Sequence, residues 1–171
     1  MKETDFSFKW SDLGDISLGR PNLGNTTYVA VYRMLQFSVR SALAKEYGGE
    51  AAQRIFYNAG EMAGKEMCKN MLNKKADACT FFDELSTVLK QFNIGIMKLE
   101  KLDDEKQHYT VTIEEDLDCS GLPNSDETVC GFDEGFIAGV LKEYMGVDFL
   151  VTEIDCWSQG QKLCRFEISK N

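Results

Sequence analysis

The chain has 171 residues, 43% of them hydrophobic and 27% charged, a balance that predicts one globular domain rather than a disordered segment. A domain of this length buries roughly 70% of the surface that its unfolded chain exposes, so it needs no disulfide to be stable. Its formal net charge of −9 disfavours nucleic acid and anionic membranes as partners, because both are bound through basic patches.

The chain contains no run of 18 apolar residues, and MKETDFSFKW lacks the apolar core of a signal peptide. We therefore expect a cytoplasmic protein. In a reducing compartment, six cysteines favour metal ligation or free thiols over disulfides.

Residues 1–24 carry scattered apolar side chains between helix-breaking Gly and Pro residues, which predicts an irregular N-terminal arm. Trp10 is a candidate anchor of this arm to the body of the domain or to another subunit, although we favour simple packing at the domain edge. Residues 25–171 are predicted to form a single domain.

Asn25, Thr26 and Thr27 offer N-caps for a long helix that ends at Gly48 and Gly49. Its apolar residues lie on two sides, so we expect one side to meet the core and the other a second subunit. The side predicted for the core comprises Tyr28, Val31, Tyr32, Leu35, Val39, Ala42 and Leu43. The other side comprises Val29, Phe37 and Ala44, and Phe37 is its predicted contact in a homodimer.

A second helix is predicted from Glu50 to Leu72. Gly60 and Gly64 lie four residues apart within it, and each lowers helix stability by roughly 1 kcal/mol relative to alanine. Two such residues on one face predict close packing against another element.

The next stretch predicts a helix capped by Thr80, a strand from Ile96 to Leu102 and a strand from Gln107 to Glu114. The acidic run at 114–118 lacks the ligand spacing of an EF-hand loop, so we interpret it as a solvated edge. Cys119 follows this run as a spare thiol or an alternative metal ligand.

The last third of the chain predicts a helix from Thr128 to Gly146 and then a β-hairpin. The hairpin strands are 147–156 and 162–169, with a turn near Gly160. This register places Cys156 and Cys164 within about 5 Å of each other. Cys130, at the helix start, is placed to close over them.

Three converging cysteines suggest Zn²⁺, which takes four thiolate, imidazole or carboxylate ligands. Glu153 is the nearest carboxylate, but it shares a face with Cys156 only if the strand is bulged or bent. Two alternatives remain at this point, namely buried cysteines that act as small apolar residues and a Cys156–Cys164 disulfide.

The same region resembles the 4-vinyl reductase domain family, a family of small-molecule-binding and hydrocarbon-binding domains. The residues that carry the resemblance are Cys130, Gly131, Phe132, the run 135–139, Glu153, Cys156, Gly160, Cys164 and Phe166. The resemblance implies zinc held by Cys130, Glu153, Cys156 and Cys164, and a dimer formed by N-terminal helices. It also implies an α/β (α+β) fold in which helices pack on a mainly antiparallel twisted sheet, as in haem-nitric-oxide sensors and a Golgi transport tethering subunit.

Three functions follow from this resemblance. The first is a stand-alone sensor or binding domain for a small hydrophobic or aromatic ligand, which would need a downstream signalling partner. The second is a reductase or accessory subunit that acts on a tetrapyrrole vinyl group, and the third is a structural dimerisation module. The ligand pocket of the first is predicted to be lined by Phe81, Phe82, Leu85, Met97 and Tyr109.

The sequence offers little for catalysis. His108 is the only histidine, and neither a glycine-rich phosphate loop nor a nucleophile motif is present. We therefore assign no catalytic residues and favour the binding domain over the enzyme.

Overall fold

The computed structural model describes residues 7–125 and 128–171, so the first six residues of the predicted arm and residues 126–127 lie outside the described residues. The described part contains helices packed on a four-stranded antiparallel sheet, which confirms the predicted fold class. The helices are α1 (Ile16–Gly19), α2 (Val29–Tyr47), α3 (Gly49–Met71), α4 (Ala78–Gln91) and α5 (Gly131–Met145). The strands are β1 (Ile96–Asp103), β2 (His108–Glu114), β3 (Phe149–Asp155) and β4 (Cys164–Lys170).

The strands lie in the order β1, β2, β4, β3, and every neighbouring pair is antiparallel. Side chains alternate across the sheet, as the period of two requires. On β3, for example, Val151 is buried and the adjacent Leu150 and Thr152 are exposed. The register of β3 against β4 slips between Glu153 and Asp155, which is a β-bulge at the position that the metal hypothesis required.

The hydrophobic core lies between the buried face of the sheet and the two helices that cover it. Helix α4 packs against β1 and helix α5 packs against β3. The largest fully buried side chains come from these elements: Phe81, Phe82, Leu85, Leu89, Tyr109, Leu141, Phe166 and Ile168.

Helices α3 and α5 approach until their backbones touch. A Cβ atom on Gly60 or Gly64 of α3 would overlap carbonyl oxygens of α5, those of Phe132 and Phe136 respectively. In return, a Cβ atom on Gly135 or Gly139 of α5 would overlap carbonyl oxygens of α3. The close packing predicted from Gly60 and Gly64 is confirmed, and α5 supplies matching glycines.

Two helices begin elsewhere than the sequence predicts. Helix α4 is capped by Asp77, whose carboxylate accepts hydrogen bonds from both the backbone N–H (3.1 Å) and the hydroxyl (2.7 Å) of Thr80. Helix α5 begins at Gly131 with Cys130 as its N-cap rather than at Thr128. The Val129 carbonyl accepts a hydrogen bond from Arg40 (3.4 Å), so this segment is tied to α2 before the helix begins.

Helix α2 faces the rest of the chain with a side that takes part of each predicted stripe: Tyr32 and Leu43 of the core stripe and Phe37 and Ala44 of the other are partly buried. The stripe predicted for the core is mostly exposed, with Tyr28 at 84% and Leu35 at 66%, whereas Phe37 is partly buried. The prediction was wrong because α2 is held by polar contacts, in which Arg33 donates to the carbonyls of Leu117 and Ser120 at 2.8 Å each. Hydrophobic periodicity does not detect a face of this kind.

The predicted irregular arm contains a 3₁₀ turn at Trp10–Leu13 and the short helix α1. Trp10 packs against the core, and its backbone N–H donates to the Glu66 carboxylate of α3 at 2.9 Å. The arm is thus anchored at Trp10. None of the described helices combines the length and apolar character needed to cross a membrane.

The glycine contact predicts a large cost for one added methyl group. Gly64→Ala would place its Cβ against the backbone of α5, which cannot move aside as a side chain can. We expect the free energy of unfolding in urea to fall by about 2 kcal/mol, within the range for overpacked cores. The control is Gly49→Ala at the start of the same helix, where the Cβ meets open space and stability should hold or rise slightly. Equal stability of the two variants would contradict the backbone contact.

Candidate functional site

Four cysteines converge at one buried point between the helices and the sheet. Cys119 comes from the loop after β2, Cys130 from the N-cap of α5, Cys156 from the end of β3 and Cys164 from the start of β4. All four side chains are fully buried, and their sulfur atoms lie within 4.8 Å of one another. The structure therefore brings together three of the four predicted ligands and adds Cys119.

The sulfur spacing resembles that of a tetrahedral metal site. Cys130 Sγ lies 3.8 Å from Cys156 Sγ and 3.7 Å from Cys164 Sγ, and Cys119 Sγ lies 3.1 Å from Cys164 Sγ. Four sulfurs each ~2.3 Å from a central zinc lie about 3.8 Å apart. All six cysteines are unpaired in the structure, which does not contain the alternative Cys156–Cys164 disulfide.

The electrostatics of the cluster also suit a cation. Hydrogen bonds from Cys119, Cys130 and Cys164 lower the pKa of the Cys156 thiol, whereas hydrogen bonding within the cluster, to Cys119 above all, raises the pKa of Cys130. Thiols this close to one another thus cannot all ionise without a counter-charge. A divalent ion would supply the charge that lets the remaining thiols ionise, as metal binding to cysteine requires.

Glu153 is the fourth ligand that the sequence predicts, and it lies beside the cluster. The β3 bulge keeps both Glu153 and Cys156 on the inner face, where Glu153 is only 8% exposed. Neither carboxylate oxygen has a hydrogen-bond partner within the described residues. Burial and the charge of Cys156 raise the pKa of Glu153 to about 8, a shift that a bound cation would oppose.

Cys119 is positioned by the acidic run that the sequence suggested was a solvated edge. Asp116 Oδ1 accepts hydrogen bonds from the backbone N–H groups of Asp118 (2.8 Å) and Cys119 (3.1 Å), which folds the loop inward. Asp116 and Asp118 are buried, so the solvated-edge interpretation is wrong for these two residues. The sequence does carry a signal for this loop. An aspartate often accepts hydrogen bonds from backbone N–H groups two and three residues later, which forms a local turn.

Burial brings three aspartates together next to the thiols. Burial and the neighbouring Asp118 raise the pKa of Asp116 to about 7. Burial, followed by the charge of Asp116, raises the pKa of Asp133 on α5. The Tyr32 hydroxyl of α2 donates to Asp118 Oδ1 at 2.7 Å. Asp116, Asp118 and Asp133 each retain a buried Oδ2 atom that has no hydrogen-bond partner in the described part of the chain.

An apolar cavity of about 380 Å³ lies on the other side of these aspartates. The N-terminal arm forms one wall, helices α3 and α5 form a second, and the segments after α4 and β2 complete it. Its apolar lining is Phe8, Trp10, Leu13, Ile16, Ala63, Met67, Phe92, Ile94, Leu117, Phe132 and Phe136. Its polar lining is limited to Asn25, Tyr32, Asp118 and Asp133.

The five residues predicted to line a ligand pocket lie elsewhere. Phe81, Phe82, Leu85, Met97 and Tyr109 are at most 2% exposed and pack together in the core. The ring centroids of Phe82 and Tyr109, for example, are 5.4 Å apart. The cavity described above is lined by other residues, so ligand binding among these five stays a prediction that would require the core to open.

Sequence reasoning missed the cavity because most of its lining comes from separate segments. The arm supplies four apolar residues at intervals of two or three, namely Phe8, Trp10, Leu13 and Ile16. This spacing was the available signal. This spacing fits neither a long helix nor a strand, so the sequence predicts an irregular segment there.

A sequence model of the 4-vinyl reductase domain matches residues 109–170, which contain the four clustered cysteines. An uncharacterized protein of Methanocaldococcus jannaschii, MJ1642, is 30% identical over 146 residues, covering 85% of this chain and 80% of its own length. A second protein of that organism, the uncharacterized MJ0150, is 25% identical over 158 residues, covering 91% of this chain and 84% of its own length.

Solved structures share the fold at lower sequence identity. The phenol-responsive sensory domain of the transcription activator PoxR aligns with a TM-score of 0.67 at 18% identity, covering 86% of this chain and 76% of its own. A vinyl-4-reductase family protein from Methanocaldococcus jannaschii aligns with a TM-score of 0.63 at 21% identity, covering 96% of this chain and 98% of its own. The third is trafficking protein particle complex subunit 3 from Naegleria fowleri, covalently bound to palmitic acid. It aligns with a TM-score of 0.65 at 13% identity, covering 84% of this chain and 95% of its own.

Proposed function

Since this chain belongs to the 4-vinyl reductase domain family, we propose that it is a stand-alone sensor or binding domain for a small hydrophobic or aromatic molecule. The observation that carries the proposal is the apolar cavity between the arm, α3 and α5. Its volume of about 380 Å³ falls within the range of ~300–1,000 Å³ typical of small-molecule sites. Eleven of its fifteen lining residues are apolar, which suits a hydrophobic ligand.

The proteins that share the fold support this proposal by analogy. The PoxR sensory domain was solved with phenol, and the trafficking subunit was solved with palmitic acid. Both ligands have a large apolar part. We extend to this chain only the general class of ligand, because sequence identity to both proteins is below 20%.

We further propose one structural Zn²⁺ in the cysteine cluster. Cys130, Cys156 and Cys164 are ligands in either version of the site. The resemblance gives Glu153 as the fourth ligand, whereas the convergence of four sulfurs favours Cys119. When bound, the ion would join the loop after β2, the start of α5 and the β3–β4 hairpin. Cysteines that bind a metal or remain unpaired, rather than forming disulfides, suit a cytoplasmic location.

The exposed face of α2 supports a homodimer as the assembled form. Residues along the predicted stripe, such as Val31, Leu35 and Val39, expose their apolar side chains. Such a helix face is a candidate for an isologous contact, in which the same residues of two copies meet. Tyr32 and Arg33 join α2 to the loop that carries Cys119, so a change at the cavity would reach the dimer face and any downstream signalling partner.

Ligand binding is testable through Trp10, which lines the cavity. The chain has two tryptophans, so Trp157→Phe leaves Trp10 as the only indole. We expect naphthalene to change its fluorescence saturably and to raise the melting temperature of the protein. Ala63→Leu, which fills part of the cavity, should weaken binding about tenfold, because steric exclusion removes buried contact.

Two controls accompany the binding test. Ala51→Leu lies on the same helix away from this cavity and should bind as the parent does. Binding that is unaffected by Ala63→Leu would favour the pocket predicted at Phe81, Phe82 and Tyr109. Saturable binding by none of a panel of aromatic hydrocarbons and fatty acids would contradict the sensor proposal, and chemical consumption of a bound ligand would favour the reductase alternative.

The zinc proposal predicts one zinc per chain in protein purified without chelators. Structural zinc contributes about 10–16 kcal/mol in small peptides, comparable with the stability of a whole domain. Cys156→Ser should therefore lose the metal and much of the fold, as measured by elemental analysis and circular dichroism. Cys79→Ser, at an exposed cysteine, is the control that should keep both. Well under one zinc per chain would refute the proposal.

Cobalt substitution distinguishes the two ligand sets within the same prediction. Four thiolates give more intense sulfur-to-cobalt charge-transfer absorption than three. If Cys119 is a ligand, Cys119→Ser weakens this absorption and Glu153→Gln leaves it unchanged. The reverse assignment predicts a spectrum that is insensitive to Cys119→Ser and a shift of the d–d bands in Glu153→Gln.

The dimer proposal predicts that Leu35→Glu gives monomers, because it places two carboxylates in an apolar contact between copies. Multi-angle light scattering at micromolar concentration measures the mass directly. Ser41→Glu adds the same charge to an exposed position of α2 away from the stripe and should remain dimeric. A wild-type protein that is already monomeric would show that the exposed stripe serves another purpose.

A further inference from the structure

The polar end of the apolar cavity is formed by two buried aspartates, Asp118 and Asp133. We infer that the ligand ends in a hydrogen-bond-donating head, a protonated amine in preference to a neutral hydroxyl, and that these two aspartates hold it. The inference rests on the proposed function, since it specifies the ligand of the same cavity.

The hydrogen bonds of the two aspartates leave acceptors available. Asp118 is 3% exposed and Asp133 is 7% exposed. Asp118 Oδ1 accepts from the Tyr32 hydroxyl, and Tyr32 is the other polar ring at this end of the cavity. The Oδ2 atoms of both aspartates are buried and lack a partner among residues 7–125 and 128–171. A buried acceptor without a partner is costly, and a donor on the ligand would remove this cost.

The surrounding charges favour a cation over an acid. Asp116 adds a third buried carboxyl group next to Asp118 and Asp133. The nearest guanidinium groups make their hydrogen bonds elsewhere: Arg33 to the carbonyls of Leu117 and Ser120, and Arg40 to Val129 and Gln53. A protonated amine placed beside these carboxyl groups would favour their ionised form, and a charge-assisted hydrogen bond is strong in such an apolar setting. A carboxylate head, as in a fatty acid, has no hydrogen to donate to the two unpartnered Oδ2 atoms.

The apolar part of the cavity determines which ligand body fits beside the polar head. Phe8, Trp10, Phe132 and Phe136 supply aromatic surface, and the volume of about 380 Å³ is at the small end for ligand sites. This lining suits a compact aromatic body. The inferred ligand is thus an aromatic or apolar molecule with a single amine or hydroxyl group at one end.

A matched series of four naphthalenes tests the inference, because only the head group changes. The compounds are 1-naphthylmethylamine, 1-naphthalenemethanol, 1-methylnaphthalene and 1-naphthoate. They are titrated against the metal-loaded protein and followed by calorimetry, and by Trp10 fluorescence in the Trp157→Phe background. We expect the amine to bind at least about tenfold more tightly than methylnaphthalene, with the alcohol between them and the naphthoate weakest.

Asp118→Asn and Asp133→Asn test the assignment to these residues. Each keeps the size of the side chain and removes one negative charge, so the preference for the amine should fall about tenfold while methylnaphthalene binds as before. Asp83→Asn, at an exposed position on α4, makes the same change to the net charge and should leave the preference intact. Metal content and melting temperature establish that each variant is folded. If a variant does not fold, the order of affinities of the four compounds for the wild-type protein decides the inference.

The outcomes separate this inference from the proposal beneath it. Methylnaphthalene or naphthoate that binds wild-type protein as tightly as the amine would overturn the head-group inference and leave the binding domain standing. An amine preference that survives in both Asn variants would also overturn it, since general attraction to a protein of net charge −9 would then be the cause. Binding of none of the four compounds would count against both.

Discussion

The backbone contact between α3 and α5 is the constraint on which the rest of the structure depends. Four glycines allow the two helices to approach until added Cβ atoms would overlap carbonyl oxygens. Helix α5 has Cys130 as its N-cap and carries Asp133 and Phe136 in its first turns, and α3 carries Ala63 and Met67 beside them. The helix separation therefore sets both the position of one thiol and the width of the cavity.

The cysteine cluster and the cavity are positioned by the same two segments, the start of α5 and the loop after β2. Cys130 and Asp133 are neighbours on the first turn of α5, and Asp118 and Cys119 are adjacent in the loop after β2. In each pair the cysteine lies in the thiol cluster and the aspartate lines the cavity. Whatever fixes the loop and the helix start on the side of the thiols also fixes the carboxyl groups on the side of the cavity.

Much of this organisation was accessible from the sequence wherever a local rule applied. Gly60 and Gly64 predicted a close helix contact, and the three-residue step from Glu153 to Cys156 showed that a shared site would require a bulge or bend, which β3 contains. The inward loop and the buried side of α2 were not accessible, since both depend on polar contacts between distant residues, such as Arg33 with Leu117. Periodicity reports apolar burial, whereas burial of a charged residue depends on partners that only the folded chain supplies.

The anchored arm bears on the rates of ligand exchange as well as on affinity. Phe8, Trp10, Leu13 and Ile16 form a wall of the cavity that precedes the helices in the chain, and Trp10 is joined to α3 through the Glu66 carboxylate. Opening of this wall would require the Trp10–Glu66 contact to break, whereas the glycine contact between α3 and α5 involves other residues. For the ligand proposed above, entry and departure would both require that opening, so its residence time would depend on the strength of the Trp10 anchor.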